Sequence, residues 1–260
     1  MLSSFYRFPT PFKLALISDC HNKAFFGLTE SLRQNRPEVI CIAGDFVHGD
    51  LPKYGNKMKE SANALELIKR CVSVAKTYIS LGNHEYLLTL SDIEMIQSTG
   101  AIVLDNSWTV MNGTVFGGLT SGGVLNYRKF RDELNTTEVY PKPLPEPRAL
   151  KHEPYVNWLS EFEKQPGYKI LLCHQPEYYD RYLDQTSIDL ILSGHAHGGQ
   201  IRIFNHGLYA PDQGFWPKYT SGCYDNRLIV SRGIANSSRI PRINNPTEIV
   251  YISPDCGLRM

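Results

Sequence analysis

Leu14-Ala-Leu-Ile-Ser-Asp19-Cys-His21 decides how the rest of the chain is read. Its four apolar residues are too few for a helix and suit a buried strand, and the strand runs straight into an aspartate and a histidine. The same arrangement recurs four times. Val39 to Ala43 leads into Gly44-Asp45, and Thr77 to Leu81 into Gly82-Asn83-His84-Glu85. Ile170 to Cys173 leads into His174, and Leu190 to Leu192 is followed closely by Gly194-His195-Ala196-His197. Helical spacing fills several gaps, at Leu28 to Arg33, Ala62 to Val74 and Ile93 to Ser98. Strands alternating with helices predict an α/β class with a largely parallel sheet, whose strand ends all deliver their loops to one edge. Five separate segments can therefore meet at one point.

Local spacing favours the same convergence. Asp19 with His21, and His195 with His197, lie two apart, which in extended backbone puts both side chains on one face. Cys20 then faces the other way, as core. Glycines at 44, 82, 194, 198 and 199 flank these positions and permit tight turns and close approach.

Further along, periodicity fades from Thr120 to Arg148, and the alternating Pro141, Pro143, Pro145 and Pro147 exclude helix, so this reads as a long surface loop. Tyr155 to Phe162 reads as helical. Short runs such as Leu228 to Ser231 and Glu248 to Ile252 suggest a second sheet. There is no internal repeat, and one domain is expected over the 260 residues.

Composition narrows the class. Hydrophobic residues make up 42% and charged residues 20%, ordinary for a folded soluble protein, and a formal net charge of +1 gives no general attraction to a polyanion, so nucleic acid is not expected as an obligatory partner. The first twelve residues lack a signal-peptide pattern, the first strand is expected to begin at Lys13, and no apolar run approaches the roughly 18 residues of a membrane span. A cytoplasmic protein is expected, with peripheral membrane association left open. The six cysteines form no CxxC pair, and Cys41 and Cys173 read as buried apolar residues.

The ordered set Asp19-x-His21, Gly44-Asp45, Gly82-Asn83-His84-Glu85, His174 and Gly194-His195-x-His197 resembles the calcineurin-like metallophosphoesterases. That resemblance implies a four-layer αββα sandwich of two mixed sheets, with a dinuclear metal site at the strand C-terminal edge. It implies one ion held by Asp19, His21, Asp45 and His197 and another by Asp45, Asn83, His174 and His195, with Asp45 shared and His84 a catalytic side chain. Gly194-His-Ala-His-Gly-Gly-Gln-Ile-Arg202, Ala210-Pro-Asp-Gln-Gly214, Lys218-Tyr-Thr-Ser-Gly222 and Val230-Ser-Arg-Gly-Ile234 are similar to a bacterial branch. The branch contains envelope-associated phosphoesterases and UDP-diacylglucosamine pyrophosphohydrolase-like enzymes. Nucleotide-sugar or lipid-linked phosphates follow as substrate candidates. Gly44-Asp-Phe-Val-His-Gly49 departs from the serine/threonine phosphatase pattern, which argues against phosphoprotein.

The residue types suit that chemistry. Oxygen and imidazole donors without thiolate accept Mn, Fe, Zn, Co or Mg, with manganese favoured here. Two divalent ions about 3.5 to 4 Å apart can share a hydroxide that attacks phosphorus. Two carboxylates and a hydroxide offset about three of the four positive charges, leaving a site that attracts an anion. The expected reaction is hydrolysis of a phosphodiester, phosphomonoester or pyrophosphate, with protonated His84 steadying the leaving oxygen. A nuclease or nucleotide phosphodiesterase is the alternative within the class, and a catalytically silent metal-binding scaffold the alternative outside it. His48 reads as a surface-loop histidine, and His152 and His206 as carrying no role. Arg202, Arg232 and Arg239 are weighed as phosphate anchors and read as solvated.

Overall fold

The structure is a computed structural model that describes residues 1–49, 57–125, 153–237 and 240–255. In chain order it contains β1 (Leu2–Phe8), β2 (Leu14–Ile17), α1 (Leu28–Asn35), β3 (Val39–Ala43), α2 (Lys57–Glu60), α3 (Ala62–Val72), β4 (Lys76–Ser80) and α4 (Leu90–Gln97). Then come β5 (Ile102–Leu104), β6 (Ser107–Met111), β7 (Thr114–Leu119), α5 (Leu159–Glu163), β8 (Tyr168–Cys173) and β9 (Leu190–Ser193). Two small hairpins follow, β10 (Arg202–Ile203) with β11 (His206–Gly207) and β12 (Tyr209–Ala210) with β13 (Gly214–Phe215). β14 (Gly222–Tyr224), β15 (Leu228–Val230) and β16 (Glu248–Pro254) complete the described elements.

The strands build two six-stranded sheets, ordered β1-β16-β2-β3-β4-β5 and β14-β15-β9-β8-β7-β6. Each mixes parallel and antiparallel pairs, and each has a parallel centre: β2, β3, β4 and β5 in the first, β15, β9, β8 and β7 in the second. Alternation along the strands sorts the core into three layers. Leu14, Leu16, Val39, Cys41 and Tyr78 of the first sheet meet Phe116, Ile170, Leu172, Leu190 and Leu192 of the second, with Tyr78 stacked on Phe116 at 4.4 Å between ring centres. On the outer face of the first sheet, Ala15, Ile17, Ile40, Ile42 and Ile79 pack against Leu28 and Leu32 of α1, Leu67, Ile68 and Cys71 of α3 and Ile96 of α4. Val115, Leu171 and Ile191 do the same for the second sheet against Leu159 and Phe162 of α5. This is the expected αββα sandwich. Strands buried on both faces explain why runs such as Leu14–Ile17 are apolar throughout instead of alternating.

Three expectations need correction. Glu248–Pro254 is not part of the second sheet: it inserts into the first, antiparallel to β2, where Val250 and Ile252 enter the inter-sheet core. Leu2–Phe8 is also a strand, so strand structure begins well before Lys13; β1 pairs in parallel with β16, from Leu2 opposite Glu248 to Phe8 opposite Pro254. Its mixed sequence hid it, because an edge strand needs only one buried flank. The 155–162 segment is helical only over Leu159–Glu163. Most of the 120–148 loop, including its four alternating prolines, lies outside the described residues. No helix among the described residues is long and apolar enough to cross a membrane.

Candidate metal centre

Loops at the C-terminal ends of β2, β3 and β4 from one sheet, and of β8 and β9 from the other, meet at one edge of the sandwich. Backbone hydrogen bonds lace them together: the Asp19 amide donates to Gly44 O at 3.2 Å, the His21 amide to Asp45 O at 2.9 Å, and the Gly194 amide to His174 O at 3.0 Å. Asp19, His21, Asp45, His174, His195 and His197 are all buried there. Ligand-type atoms of Asp19, His21 and His197 lie within 4.8 Å of one another, as do those of Asp45, His174 and His195.

Asp45 stands between the two groups. Its Oδ2 is 3.1 Å from His174 Nε2, 3.8 Å from His84 Nε2 and 4.0 Å from His21 Nε2. Across the first group, His197 Nε2 is 3.6 Å from Asp19 Oδ1 and 3.4 Å from His21 Nε2. The backbone reaches these positions by turning. Asp19, His21, Asp45, His195 and His197 all have positive φ, between 47° and 63°, so the two-apart pairs converge through left-handed turns and not along one face of an extended strand as the spacing predicts. For residues with a side chain that conformation carries a cost, and such strain gathers where a site requires it. Cys20, between two of them, is buried in the helix-side core.

A buried carboxylate missing from the expected site holds the frame. Glu85 accepts the amide protons of Asp45 at 2.8 Å, Val47 at 3.1 Å and Gly82 at 2.7 Å. The backbones also pack too closely for a side chain at two glycines. A Cβ on Gly82 would lie 2.3 Å from Asp45 Oδ1, and one on Gly44, which has φ +76°, would lie 2.6 Å from Gly82 N.

The protein scaffold by itself is electrostatically divided. Burial alone would raise the Asp45 carboxyl, but the charges of His174, His84 and His21 hold it well below the usual carboxylate range. Burial likewise opposes charging of His174, yet Asp45 and Asp19 push its imidazole up to about 10. His197 is drawn down to about 4 by burial, helped by Arg242, and burial also lowers His21 and His84. Glu85 is pushed up to about 8 by burial and by the neighbouring Asp45 charge.

A calcineurin-like phosphoesterase model matches residues 12–199, most of the chain, including all six clustered Asp and His residues and Glu85. The chain belongs to that family. Among curated relatives of this chain, Bacillus subtilis YpbG, an uncharacterized protein, is 29% identical over 204 residues, covering 76% of this chain and 66% of that one. An uncharacterized metallophosphoesterase of Helicobacter pylori is 27% identical over 257 residues, covering 92% and 59%. Escherichia coli phosphodiesterase YaeI is 24% identical over 203 residues, covering 74% and 63%. The chain thus spans roughly three fifths to two thirds of the length of these relatives.

The family is one of hydrolases with two divalent metal ions, and this chain's own side chains fit such a pair. Among the described residues, the buried His21 Nδ1 and Asn83 Oδ1 have no hydrogen-bond partner, and His174 Nε2 has only ion-pair contacts, to Asp45 and to Asp19 at 3.9 Å. Oxygen and imidazole donors held this close, without partners of their own, are what a divalent cation satisfies. His84 is placed differently. Its Nδ1 accepts the Gly49 amide proton at 2.8 Å, so a neutral ring carries its proton on Nε2, facing Asp45.

Several neighbours escaped the sequence reading. Glu177 and Asp212 approach His195 Nε2, at 3.7 and 3.0 Å, and Arg242 Nη2 lies 3.2 Å from His197 Nδ1. Asn245 donates to the carbonyls of His197 and Gln200 at 2.7 and 3.0 Å, bracing the turn between them. Asp212 sits in the Ala-Pro-Asp-Gln-Gly stretch, quoted above for its resemblance but without a role for the aspartate. His48 is half-buried, with its ring centre 5.7 Å from that of His84. Arg202 is buried, not solvated, donating to Gly198 O and Thr220 Oγ1 as a structural brace; Arg232 faces Glu248. Arg239 and His152 lie outside the described residues, and His206 packs on Trp216.

Proposed function

We propose that this chain hydrolyses a phosphodiester, phosphomonoester or pyrophosphate bond of a small phosphorylated substrate. Asp19, His21, Asp45 and His197 would hold one divalent ion, and Asp45, Asn83, His174 and His195 the other. When bound, such a pair lowers the pKa of water and offsets charge developing on phosphate oxygens. The observation carrying the proposal is the convergence of Asp19, His21, Asp45, His174, His195 and His197 from both sheets on one buried point, with Asp45 between the two clusters.

His84 acts beside the reaction. With Nδ1 committed to the Gly49 amide, its Nε2 proton is available to a phosphate or leaving-group oxygen. The side chain is 24% exposed, whereas those of His21 and His174 are sealed, so of these three histidines it is the one that incoming substrate can touch. Asn83 contributes a neutral oxygen. A carboxylate in its place would cancel much of the positive charge that draws an anionic substrate. The Gly194–Arg202 and Ala210–Gly214 stretches support nucleotide-sugar and lipid-linked phosphates as the first substrates to assay.

The test is hydrolysis by protein freed of metal with chelator and reloaded with Mn²⁺, using bis-p-nitrophenyl phosphate and p-nitrophenyl phosphate. Metal-dependent release of p-nitrophenol from either is expected, and the ratio between them separates diesterase from monoesterase. Absence of turnover on both, with two ions bound, would leave the silent scaffold as the better reading.

A further inference from the structure

The proposed metal pair uses His195 through one ring nitrogen, and the other nitrogen has surroundings that the family pattern does not account for. His195 Nε2 lies 3.0 Å from Asp212 Oδ2, within hydrogen-bond distance, and 3.7 Å from Glu177 Oε1. Both Glu177 oxygens are buried and, among the described residues, accept no hydrogen bond from another residue, so this carboxylate acts on the ring through charge. Asp212 arrives from the β12–β13 hairpin, where its φ of +57° turns it back toward the β9 loop, and Gln175 Nε2 steadies the same Oδ2 at 3.5 Å. Two carboxylates from different elements thus converge on one edge of one histidine. On His197 it is the other ring nitrogen, Nδ1, that meets an outside charge, and there the charge is opposite, the guanidinium of Arg242.

We infer that Asp212 is a positioning residue for His195: its carboxylate accepts a hydrogen bond from Nε2–H, leaves the lone pair on Nδ1 for the ion, and with Glu177 strengthens ion binding on that side of the pair. A neutral imidazole has one N–H and one lone pair, so committing the proton to a carboxylate fixes which nitrogen can ligate and makes it more basic. The inference rests on His195 being a ligand, as proposed above.

Zinc binding by the full chain, stripped with chelator and followed by calorimetric titration, tests it. The wild type should take up two ions. Asp212→Ala should weaken one binding step roughly 10- to 100-fold while leaving the other, and the melting temperature of the metal-free protein, unchanged. Asp212→Asn, whose amide oxygen still accepts the Nε2 proton, should recover much of the loss. Nitrogen-15 NMR of the zinc-loaded protein should find the His195 proton on Nε2 in the wild type. Two wild-type binding steps in Asp212→Ala, or a His195 proton on Nδ1, would overturn the inference while the metal site stands. Failure of the wild-type protein to bind zinc would instead overturn the site reading on which the inference depends.

Discussion

His195 and His197 are two residues apart on one tight turn, equally buried, and enter their two clusters with similar left-handed backbone angles, 63° and 47°. Their neighbours divide them. Glu177 and Asp212 face His195, and although burial opposes a charged ring, these carboxylates raise its pKa. His197 has Arg242 at 3.2 Å and falls to about 4, chiefly through burial. A symmetric motif in the sequence has thus been made electrically asymmetric by residues brought in from distant loops. In chemical terms the His195 side is the more electron-rich partner for a cation and the His197 side the poorer one.

Substitutions can break this comparison at several depths. Asp45 belongs to both sides, so Asp45→Ala should abolish uptake of both ions and reduce turnover below detection; elemental analysis after dialysis checks the first, and a p-nitrophenyl ester assay the second. His84 belongs to neither. His84→Ala should keep both ions and lower kcat by roughly 10²- to 10⁴-fold, the range of general acid-base catalysis. Removing one ring at a time separates the sides: His195→Ala and His197→Ala should each retain a single ion, with His197→Ala holding its remaining ion the more tightly by calorimetry. Arg242→Gln is expected to have the smallest effect, tightening the His197-side ion by no more than about tenfold, the scale of one partly screened charge. Because Arg242 also donates to the carbonyls of Arg232 and Ala235, an unchanged melting temperature is the control for a loosened loop.

Much of the architecture was readable because the central strands are buried on both faces and end in polar residues at their C-terminal edges. Leu14–Ile17 and Val39–Ala43 occur at the expected bounds, and Lys76–Ser80 is displaced by one residue. The insertion of β16 between β1 and β2 was not legible. It joins residues near the two ends of the chain, and nothing in a local pattern specifies a partner at that separation. The positions of the proposed ligands were legible from residue type and order, but the way they converge was not: spacing by two implied extended backbone, and the structure uses left-handed turns. Glu85 stood in plain view inside Gly82-Asn-His-Glu85, but its role is to accept amide protons from a loop 40 residues earlier, which only the fold reveals. Asp212 and Arg242 escaped for a related reason. Single charges in turns are common, and their importance comes from which ring they approach.

The buried Glu85 side chain has a mechanical consequence. One carboxylate grips amides from the turns after β3 and β4, so those turns cannot separate without breaking several bonds to a group that water does not reach. The floor of the cleft therefore behaves as a fixed jaw. The β12–β13 hairpin is held differently: it brings Asp212 to His195 while its Phe215 stands largely in solvent.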